Sequence, residues 1–280
     1  MDEKILKSAE VLFNLAYAED IGDGDITTNN LIPPNKNKTA ILVAKEEGVV
    51  AGLPVAEMVF KKFDGKLQWK TILPDGSKVK QGDIIAEFKG NYRALLTGER
   101  KALNFLQRLS GIASYASKCM KEVEGTKVEI LDTRKTLPGY RYLDKYAVRM
   151  GGASNHRFGL YDMVMIKDNH IQVAGGIKQA VEAIRNKIPK SIKIEVETTN
   201  LDMVQEALDA DVDIIMLDNM SSRLMTEAVK LINKKAKIEA SGNMTIKRIR
   251  KVAGTGVDYI SIGALTHSVK ALDISQRIID

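Results

Sequence analysis

The sequence has 280 residues, of which 44% are hydrophobic and 28% charged, a balance typical of folded globular proteins that excludes a disordered chain. Its longest apolar runs are far shorter than the roughly 20 residues that cross a bilayer, and MDEKILK lacks the basic start and apolar core of a signal peptide. We therefore expect a cytoplasmic protein that does not associate with membranes. The single cysteine, Cys119, excludes an internal disulfide and a multi-cysteine metal site.

The charge balance is mildly basic, with 42 Lys and Arg against 36 Asp and Glu, a net charge of +6. Such an excess suits nucleic acid or a small anionic ligand equally well. Only 5% of the residues are aromatic, and the sequence has no run of five basic residues, so it offers little surface on which bases could stack. We therefore expect no nucleic-acid partner.

The first half of the chain has the pattern of an α+β domain. Apolar spacing predicts helices in EKILKSAEVLFNLAYAED and LPVAEMVFKKF, and strands in TAILVAKEEGVVAG, LQWKTIL and PDGSKVKQGDIIAEFKG. The long segment NYRALLTGERKALNFLQRLSGIASYASKCMKEVEG follows as linking helix, with an interruption predicted at Ser110-Gly111. We place this N-terminal domain at residues 1–110.

From about residue 127 the pattern changes to short apolar strands separated by amphipathic helices. The predicted strands are VEIL 128–131, MVMI 163–166, IKIEV 192–196, IIML 214–217, KIEA 237–240 and YISI 259–262. Nearly continuous apolar strands are typical of a parallel sheet covered by helices, and six are fewer than the eight of a full barrel. We predict an α/β protein whose residues 111–268 form a reduced, open parallel β/α barrel. Residues 269–280 are predicted to be a C-terminal helix that packs on the N-terminal domain.

Polar residues and glycines follow these apolar runs, where a parallel barrel has its active site. They are Asp132, Thr133, Arg134 and Lys135, then Lys167, Asp168, Asn169 and His170, then Glu197, then Asp218 and Asn219, then Ser241, Gly242 and Asn243, and finally Gly263 and Ala264. A single such residue is usually a solvated cap. Because six strand ends meet at one rim, we expect a functional site there.

The residue types at this rim indicate a polyanionic ligand. Arg134, Lys135, Arg157 and Lys167 are cations, and the turns SGN and IGA leave backbone N–H groups available to a phosphate. Glu197 and Asp218 suit either Mg²⁺ or ribose hydroxyls, and the alternative is that they pair with neighbouring cations. His156 and His170 are candidates for acid or base, with a purely positional role open for both.

Several of these strings resemble the quinolinate phosphoribosyltransferase family. They are DTRKTLPGYRYLDKYAVRMGGASNHRFGL, MIKDNHI, EVE, MLDN and IEASGN, and the resemblance extends from EDIGDGDITT near the start to VDYISIGALTHS near the end. It implies an N-terminal α/β domain beside an open barrel. It also implies a homodimer, sometimes assembled into hexamers, in which the N-terminal domain of one subunit covers the barrel of its partner.

The resemblance implies transfer of phosphoribose from phosphoribosyl pyrophosphate to quinolinate, with Mg²⁺, giving nicotinate mononucleotide, pyrophosphate and CO₂ in de novo NAD synthesis. The residues matching the quinolinate site are Arg100 from the other subunit, Thr133, Arg134, His156, Arg157 and Lys167. Those matching the catalytic and phosphoribosyl pyrophosphate site are Lys135, Glu197 and Asp218, of which Glu197 and Asp218 would hold the metal directly or through water. Those matching the 5′-phosphate turns are Ser241, Gly242, Asn243, Ile262, Gly263 and Ala264.

The chain departs from the family at three positions, and four other functions compete with the one implied. Ala153 and Ser154 stand where many members have a third glycine, and Asn243 stands where glycine is common. The sequence alone therefore does not determine the conformation of these two loops. The competing functions are a related protein associated with molybdenum transport, a nicotinate-specific transferase, a Schiff-base aldolase using Lys167, and a nucleic-acid-binding module. The intact KDNH segment favours the quinolinate enzymes.

Overall fold

The computed structural model describes residues 2–279, which form two compact units. The first unit contains the residues up to Ser117, Thr136–Gly152 and the residues from Leu265 onward, and the second contains Lys118–Lys135 and Ala153–Ala264. The predicted domains 1–110, 111–268 and 269–280 are contiguous and stay a prediction, whereas these two compact units alternate along the chain. In particular, residues 136–152 lie within the segment predicted as barrel but belong to the first unit.

The first unit combines helices with antiparallel strands. Its helices are α1 (Glu3–Asp20), α2 (Ile26–Leu31), α3 (Leu53–Phe63), α4 (Tyr92–Glu122, whose last residues belong to the second unit), α5 (Arg141–Met150) and α11 (Ala264–His267). Its strands are β1 (Asn37–Ala44), β2 (Gly48–Val49), β3 (Gln68–Thr71), β4 (Lys78–Val79), β5 (Ile84–Asn91) and β12 (Ile274–Ile278). The main sheet has the order β12-β1-β5-β3, and β2 pairs separately with β4.

The first and third helices follow the predicted segments. Helix α1 buries Ile5, Ala9 and Phe13, which are four residues apart and so lie on one face. Helix α3 covers LPVAEMVFKKF from end to end. Its start is held by Asp75, whose carboxylate accepts hydrogen bonds from the backbone N–H groups of Gly52 (2.9 Å) and Leu53 (3.0 Å). This carboxylate satisfies two of the N–H groups that a helix start leaves unbonded.

The interruption predicted at Ser110-Gly111 is wrong, because α4 is continuous from Tyr92 to Glu122. A Cβ atom added at Gly111 would lie 2.2 Å from the carbonyl oxygen of Lys270. Glycine is therefore needed here because α4 packs closely against the backbone at Lys270, and it does not break the helix.

The predicted C-terminal helix is also wrong, since Ile274–Ile278 is strand β12. This strand pairs antiparallel with β1, from Ala40 opposite Ile278 to Ala44 opposite Ile274. The segment does pack on the N-terminal domain, as predicted, but as a strand of its sheet. A segment of five residues with two isoleucines gains more from the backbone hydrogen bonds of an open sheet edge than from an isolated helical turn.

The second unit contains the predicted six-stranded parallel sheet. Its strands are β6 (Glu129–Leu131), β7 (Val164–Ile166), β8 (Ile194–Thr198), β9 (Ile214–Asp218), β10 (Lys237–Ser241) and β11 (Tyr259–Ser261). Its helices are α6 (Asp168–Ala174), α7 (Ile177–Arg185), α8 (Leu201–Asp209), α9 (Ser222–Ile232) and α10 (Ile246–Ala253). The sheet order is β6-β11-β10-β9-β8-β7, and each neighbouring pair of these strands is parallel, as a reduced barrel requires.

The register of this sheet places the carboxyl ends of its strands side by side. Glu197 on β8 lies opposite Met216 on β9, and Ser241 on β10 lies opposite Asp218 on β9. The apolar residues between these positions, such as Val196, Ile215 and Ala240, are fully buried. Burial of both faces of the strands fixes the register, so the polar residues after the strands meet at one rim.

No helix within residues 2–279 combines the length and the apolar character that a membrane span requires. Cys119 is fully buried, and burial raises the pKa of its thiol to about 12, so the thiol is protonated and unreactive at neutral pH.

Candidate active site

A cavity of about 480 Å³ lies at the carboxyl ends of the strands of the second unit. Eleven of the site residues predicted from the sequence line this cavity: Thr133, Arg134, Lys135, His156, Arg157, Lys167, Glu197, Asp218, Ser241, Gly242 and Asn243. Its further lining residues are Met165, Met216, Asn219, Glu239, Met244 and Ser261. The structure thus brings the predicted cations, carboxylates and first phosphate turn to one place.

The second predicted phosphate turn and Arg100 are not among the residues that line this cavity. Ser261 lines the cavity at the end of β11, whereas Ile262 is buried and donates its backbone N–H to the carbonyl oxygen of Leu131 (2.9 Å). A role for Ile262, Gly263 and Ala264 in phosphate binding stays a prediction. Arg100 belongs to the first unit, where it borders a separate cavity of about 320 Å³.

A larger cavity, of about 1180 Å³, lies at the amino ends of strands β9 and β10. Its wall contains Arg185, Asp213, Lys237 and Asp258, which pair as Arg185 with Asp213 (3.3 Å) and Lys237 with Asp258 (2.6 Å). Residues at this face of a β/α barrel commonly serve stability, and the ion pairs here join neighbouring strands and helices. We therefore assign the chemistry to the smaller cavity.

The cationic side of the 480 Å³ cavity is crowded with positive charge. Burial and the nearby charge of Arg134 lower the pKa of Arg157. The guanidinium of Arg157 is fixed by a hydrogen bond from its Nη1 to the carbonyl oxygen of Met163 (3.0 Å). Cations that are this close repel one another until an anion binds between them, so this wall is suited to a ligand with several negative charges.

The acidic side of the cavity is formed by Glu197 and Asp218. Glu197 accepts a hydrogen bond from Lys167 Nζ (2.6 Å), and Asp218 accepts one from Asn219 Nδ2 (2.8 Å). Glu197 thus pairs with a neighbouring cation, which is the alternative role that the sequence left open for it. Because Lys167 and Glu197 are both partly exposed, the pair is weak and a stronger ligand can replace either partner.

Both candidate histidines have ring nitrogens engaged within the protein. His156 Nδ1 accepts the backbone N–H of Arg157 (2.6 Å), and its Nε2 faces two carboxylates. His170 Nδ1 accepts the backbone N–H of Lys167 (3.0 Å), at the start of α6. These contacts favour the positional role for both residues, since each histidine fixes the backbone next to a predicted quinolinate-binding cation.

Two buried glutamates, of which Glu239 lines the cavity, were not predicted as site residues from the sequence. His156 Nε2 lies 3.2 Å from an oxygen of Glu195 and 3.1 Å from an oxygen of Glu239, and both glutamates are fully buried. Burial lowers the pKa of His156, but the two carboxylates outweigh this effect and raise it to about 10. Burial also raises the pKa of Glu195 to about 7. The repeated string KIE at 193–195 and 237–239 was the available signal, because a charged residue inside an apolar strand needs a partner.

We expect Glu239→Gln to make the protein more stable. Two buried carboxylates face one imidazole nitrogen, His156 Nε2, at 3.2 Å and 3.1 Å, and its single N–H cannot be directed at both. Removing one negative charge leaves a balanced pair, so the free energy of unfolding should rise by about 1 kcal/mol or more. Urea denaturation measures this change. Glu227→Gln, at a half-exposed position on α9, is the control and should change stability by less than about 0.5 kcal/mol.

Two of the three residues that depart from the family pattern, Ser154 and Asn243, have well-defined backbone conformations. Ser154 forms a parallel bridge with Leu131, and its backbone N–H donates to Ile130, so it extends the sheet beside β6. Asn243 has φ +49°, in the left-handed region that glycine favours and that asparagine tolerates better than most other residues. Asparagine is therefore compatible with this turn.

The fold and the cavity together are those of an α/β enzyme whose site, at the carboxyl ends of a parallel sheet, is suited to an anionic ligand. Residues 25–110 match the N-terminal domain of quinolinate phosphoribosyl transferase, and residues 112–277 match its C-terminal domain. The chain therefore belongs to the quinolinate phosphoribosyltransferase family.

Individual relatives cover nearly the whole chain. A probable nicotinate-nucleotide pyrophosphorylase [carboxylating] from Synechocystis is 47% identical over 94% of this chain and 90% of its own length. One from Bacillus subtilis is 43% identical over 95% of this chain and 92% of its own length. The structure of the nicotinate-nucleotide pyrophosphorylase from Francisella tularensis is 42% identical, with a TM-score of 0.94 over 98% of this chain and 97% of that chain. Both units of this fold are thus shared with these proteins.

Proposed function

We propose that this protein transfers phosphoribose from phosphoribosyl pyrophosphate to quinolinate and releases CO₂, forming nicotinate mononucleotide and pyrophosphate for NAD synthesis. The observation that carries the proposal is the meeting of three kinds of group in one cavity: cations for a dicarboxylate, carboxylates for a metal or ribose, and a glycine turn for a phosphate. Membership of the family supports the same reaction.

The cationic wall suits the two adjacent carboxylates of quinolinate. Arg134 and Arg157 present planar guanidinium groups, which bind carboxylates with paired hydrogen bonds, and Lys167 adds a point charge. Binding of the dianion relieves the repulsion between Arg134 and Arg157. A ligand with a single carboxylate would leave part of this charge without a partner.

The acidic wall suits the ribose and Mg²⁺ of the second substrate. Glu197 and Asp218 come from the neighbouring strands β8 and β9, and carboxylate oxygens are the protein ligands that Mg²⁺ prefers. Glu197 and Asp218 are therefore the residues that would hold Mg²⁺, directly or through water. When bound, Mg²⁺ would neutralise the charge of the departing pyrophosphate. Lys135, which is exposed on the same rim, would add to this neutralisation.

For this reaction the protein mainly has to position the two substrates and stabilise their charges. After pyrophosphate leaves, the electron-poor ribose carbon is attacked by the pyridine nitrogen of quinolinate. The alkylated nitrogen then carries a positive charge beside the C2 carboxylate, so it stabilises the electron pair that stays on C2 when CO₂ departs. C2 then takes up a proton, which gives nicotinate mononucleotide. No strong base is needed, which agrees with the engagement of His156 and His170 inside the protein.

We further propose that the active form is a homodimer with shared sites. Arg100 lies on α4 in the first unit, beside Glu19, Asp20 and Asn104, whereas the cavity belongs to the second unit. The family pattern assigns this arginine to the quinolinate of the partner subunit. One partner is enough to complete each cavity, so a dimer is the smallest active assembly and a hexamer would contain three of them.

The competing functions fit this cavity less well. A Schiff-base lysine is normally desolvated or placed beside another cation, whereas Lys167 is half exposed and pairs with Glu197. The matched cations line a cavity, whereas binding of nucleic acid calls for a stripe of basic residues on the surface. Borohydride trapping with a carbonyl substrate, and the salt dependence of DNA binding, would reveal these activities if present.

Release of CO₂ from quinolinate labelled in its C2 carboxyl group tests the proposed reaction. With Mg²⁺ and phosphoribosyl pyrophosphate, we expect one CO₂ and one pyrophosphate for each nicotinate mononucleotide formed. Without phosphoribosyl pyrophosphate, no CO₂ should form, because the ring nitrogen has not been alkylated. CO₂ release that is independent of phosphoribosyl pyrophosphate, or its absence with both substrates present, would refute the proposal.

A further inference from the structure

Two loops at the rim of the cavity have unusual backbone conformations. Gly242 and Asn243, directly after β10, have φ values of +90° and +49°, and Asn219, directly after β9, has φ +54°. Such values are rare for residues other than glycine, so surrounding contacts must hold these loops in place. A Cβ atom added at Gly242 would lie 2.2 Å from Asn219 Oδ1, which shows how closely the two loops approach each other.

Side chains within the cavity supply part of the restraint. Asn243 Nδ2 donates to Asn219 Oδ1 (3.2 Å), and Asn219 Nδ2 donates to Asp218 Oδ2 (2.8 Å). The backbone N–H of Asn219 also donates to the carbonyl oxygen of Ser241 (3.0 Å). The turn proposed for the phosphate is thus connected, residue by residue, to the carboxylate proposed for the ribose or metal.

The strongest connection comes from Arg248, on α10, which is not among the residues lining the cavity. Its Nη1 donates to the carbonyl oxygen of Gly242 (2.8 Å), and its Nη2 donates to the carbonyl oxygen of Met220 (2.7 Å). One rigid, planar group therefore holds a carbonyl of each loop. Hydrogen bonds from a charged donor are stronger than those between neutral groups, and the fixed geometry of the guanidinium sets the distance between the two loops.

These two hydrogen bonds also orient the peptide groups. In a trans peptide the C=O and N–H point in opposite directions, so a Gly242 carbonyl that faces Arg248 directs the N–H of Asn243 away from Arg248. Asn243 lines the cavity, and Arg248 is not among its lining residues. The arginine thus favours an orientation in which a backbone N–H is available to an anionic oxygen.

We infer that Arg248 is a positioning residue for the phosphoribosyl half of the site, acting through the carbonyl groups of Gly242 and Met220. This inference rests on the proposed function. Arg248 holds the phosphate turn and the loop that begins at Asp218 at a fixed separation, so binding of phosphoribosyl pyrophosphate depends on a residue outside the cavity lining. Both hydrogen bonds of its guanidinium reach the loops after β9 and β10, so the quinolinate wall should be unaffected.

The test compares three substitutions on one helix. Arg248→Gln loses the charge and the rigid fork, Arg248→Lys keeps the charge but cannot reproduce the fork, and Arg250→Gln removes an arginine two residues away that instead contacts Lys121 and Glu122. We expect both Arg248 variants to raise the KM for phosphoribosyl pyrophosphate about tenfold, with the KM for quinolinate within about twofold. Arg250→Gln should leave both KM values near those of the wild type.

Each outcome decides the inference. Wild-type kinetics in Arg248→Lys would mean that charge alone matters and would overturn it, as would an equal rise of both KM values or a normal KM in Arg248→Gln. If Arg248→Gln does not fold, Arg248→Lys and the increase in Tm that each substrate gives to it supply the same comparison. Absence of turnover in the wild type would refute the proposed function instead, which is a distinguishable result.

Discussion

Mixed dimers of Arg100→Ala and Asp218→Ala subunits are expected to recover about a quarter of wild-type activity, although each homodimer is nearly inactive. If Arg100 serves the cavity of the partner subunit, a mixed dimer contains one site with both native residues and one site with neither. Random reassociation makes half of the dimers mixed, and half of their sites are intact. Refolding the two variants together from denaturant, followed by the assay for CO₂ release, measures the recovery.

The matched control pairs Arg134→Ala with Asp218→Ala. Both residues line the same cavity of one chain, so every site of a mixed dimer keeps one defect and no activity should return. Recovery in this control would reveal an artefact of refolding. Failure of the Arg100 pair to recover, with both homodimers folded and inactive, would show that Arg100 acts within its own subunit. A fully active Arg100→Ala homodimer would show that Arg100 has no role in the site.

The second large effect is a strong preference for quinolinate over nicotinate. The wall formed by Arg134, Arg157 and Lys167 carries more charge than one carboxylate can neutralise, and burial already lowers the pKa of Arg157. The second carboxylate gains charged hydrogen bonds that together contribute about 3–4 kcal/mol, so kcat/KM should be roughly 10²–10³ higher for quinolinate. Initial rates of pyrophosphate release with each acid give this ratio directly.

Two lysine variants test whether the preference for quinolinate over nicotinate depends on this wall of the cavity. Lys167→Ala removes a cation at the carboxyl end of β7 and should reduce the ratio by about tenfold or more, since a charged hydrogen bond is lost only from quinolinate. Lys193→Ala removes an exposed lysine just before the start of β8, at the opposite end of the sheet, and should leave the ratio unchanged. Comparable rates with both acids in the wild type would contradict the assignment of this wall to a dicarboxylate.

Local sequence pattern was sufficient for the elements whose burial is regular. The six parallel strands lie where apolar runs predicted them, and α1 and α3 follow their predicted segments. A run that is apolar on both faces fits only a covered strand, and apolar residues four positions apart fit only one face of a helix. The gathering of strand-end residues at one cavity also follows from these patterns, because parallel strands end at the same edge of the sheet.

Only the tertiary structure decided the features that depend on distant segments. The last strand, β12, forms because β1 offers an open edge, and Gly111 is explained by the backbone at Lys270. The buried cluster of His156, Glu195 and Glu239 joins residues up to 83 positions apart, and Arg248 acts on the loops of two different strands. Sequence pattern reports which face of an element is buried, but the partner of a buried charge or a glycine is set by packing between elements.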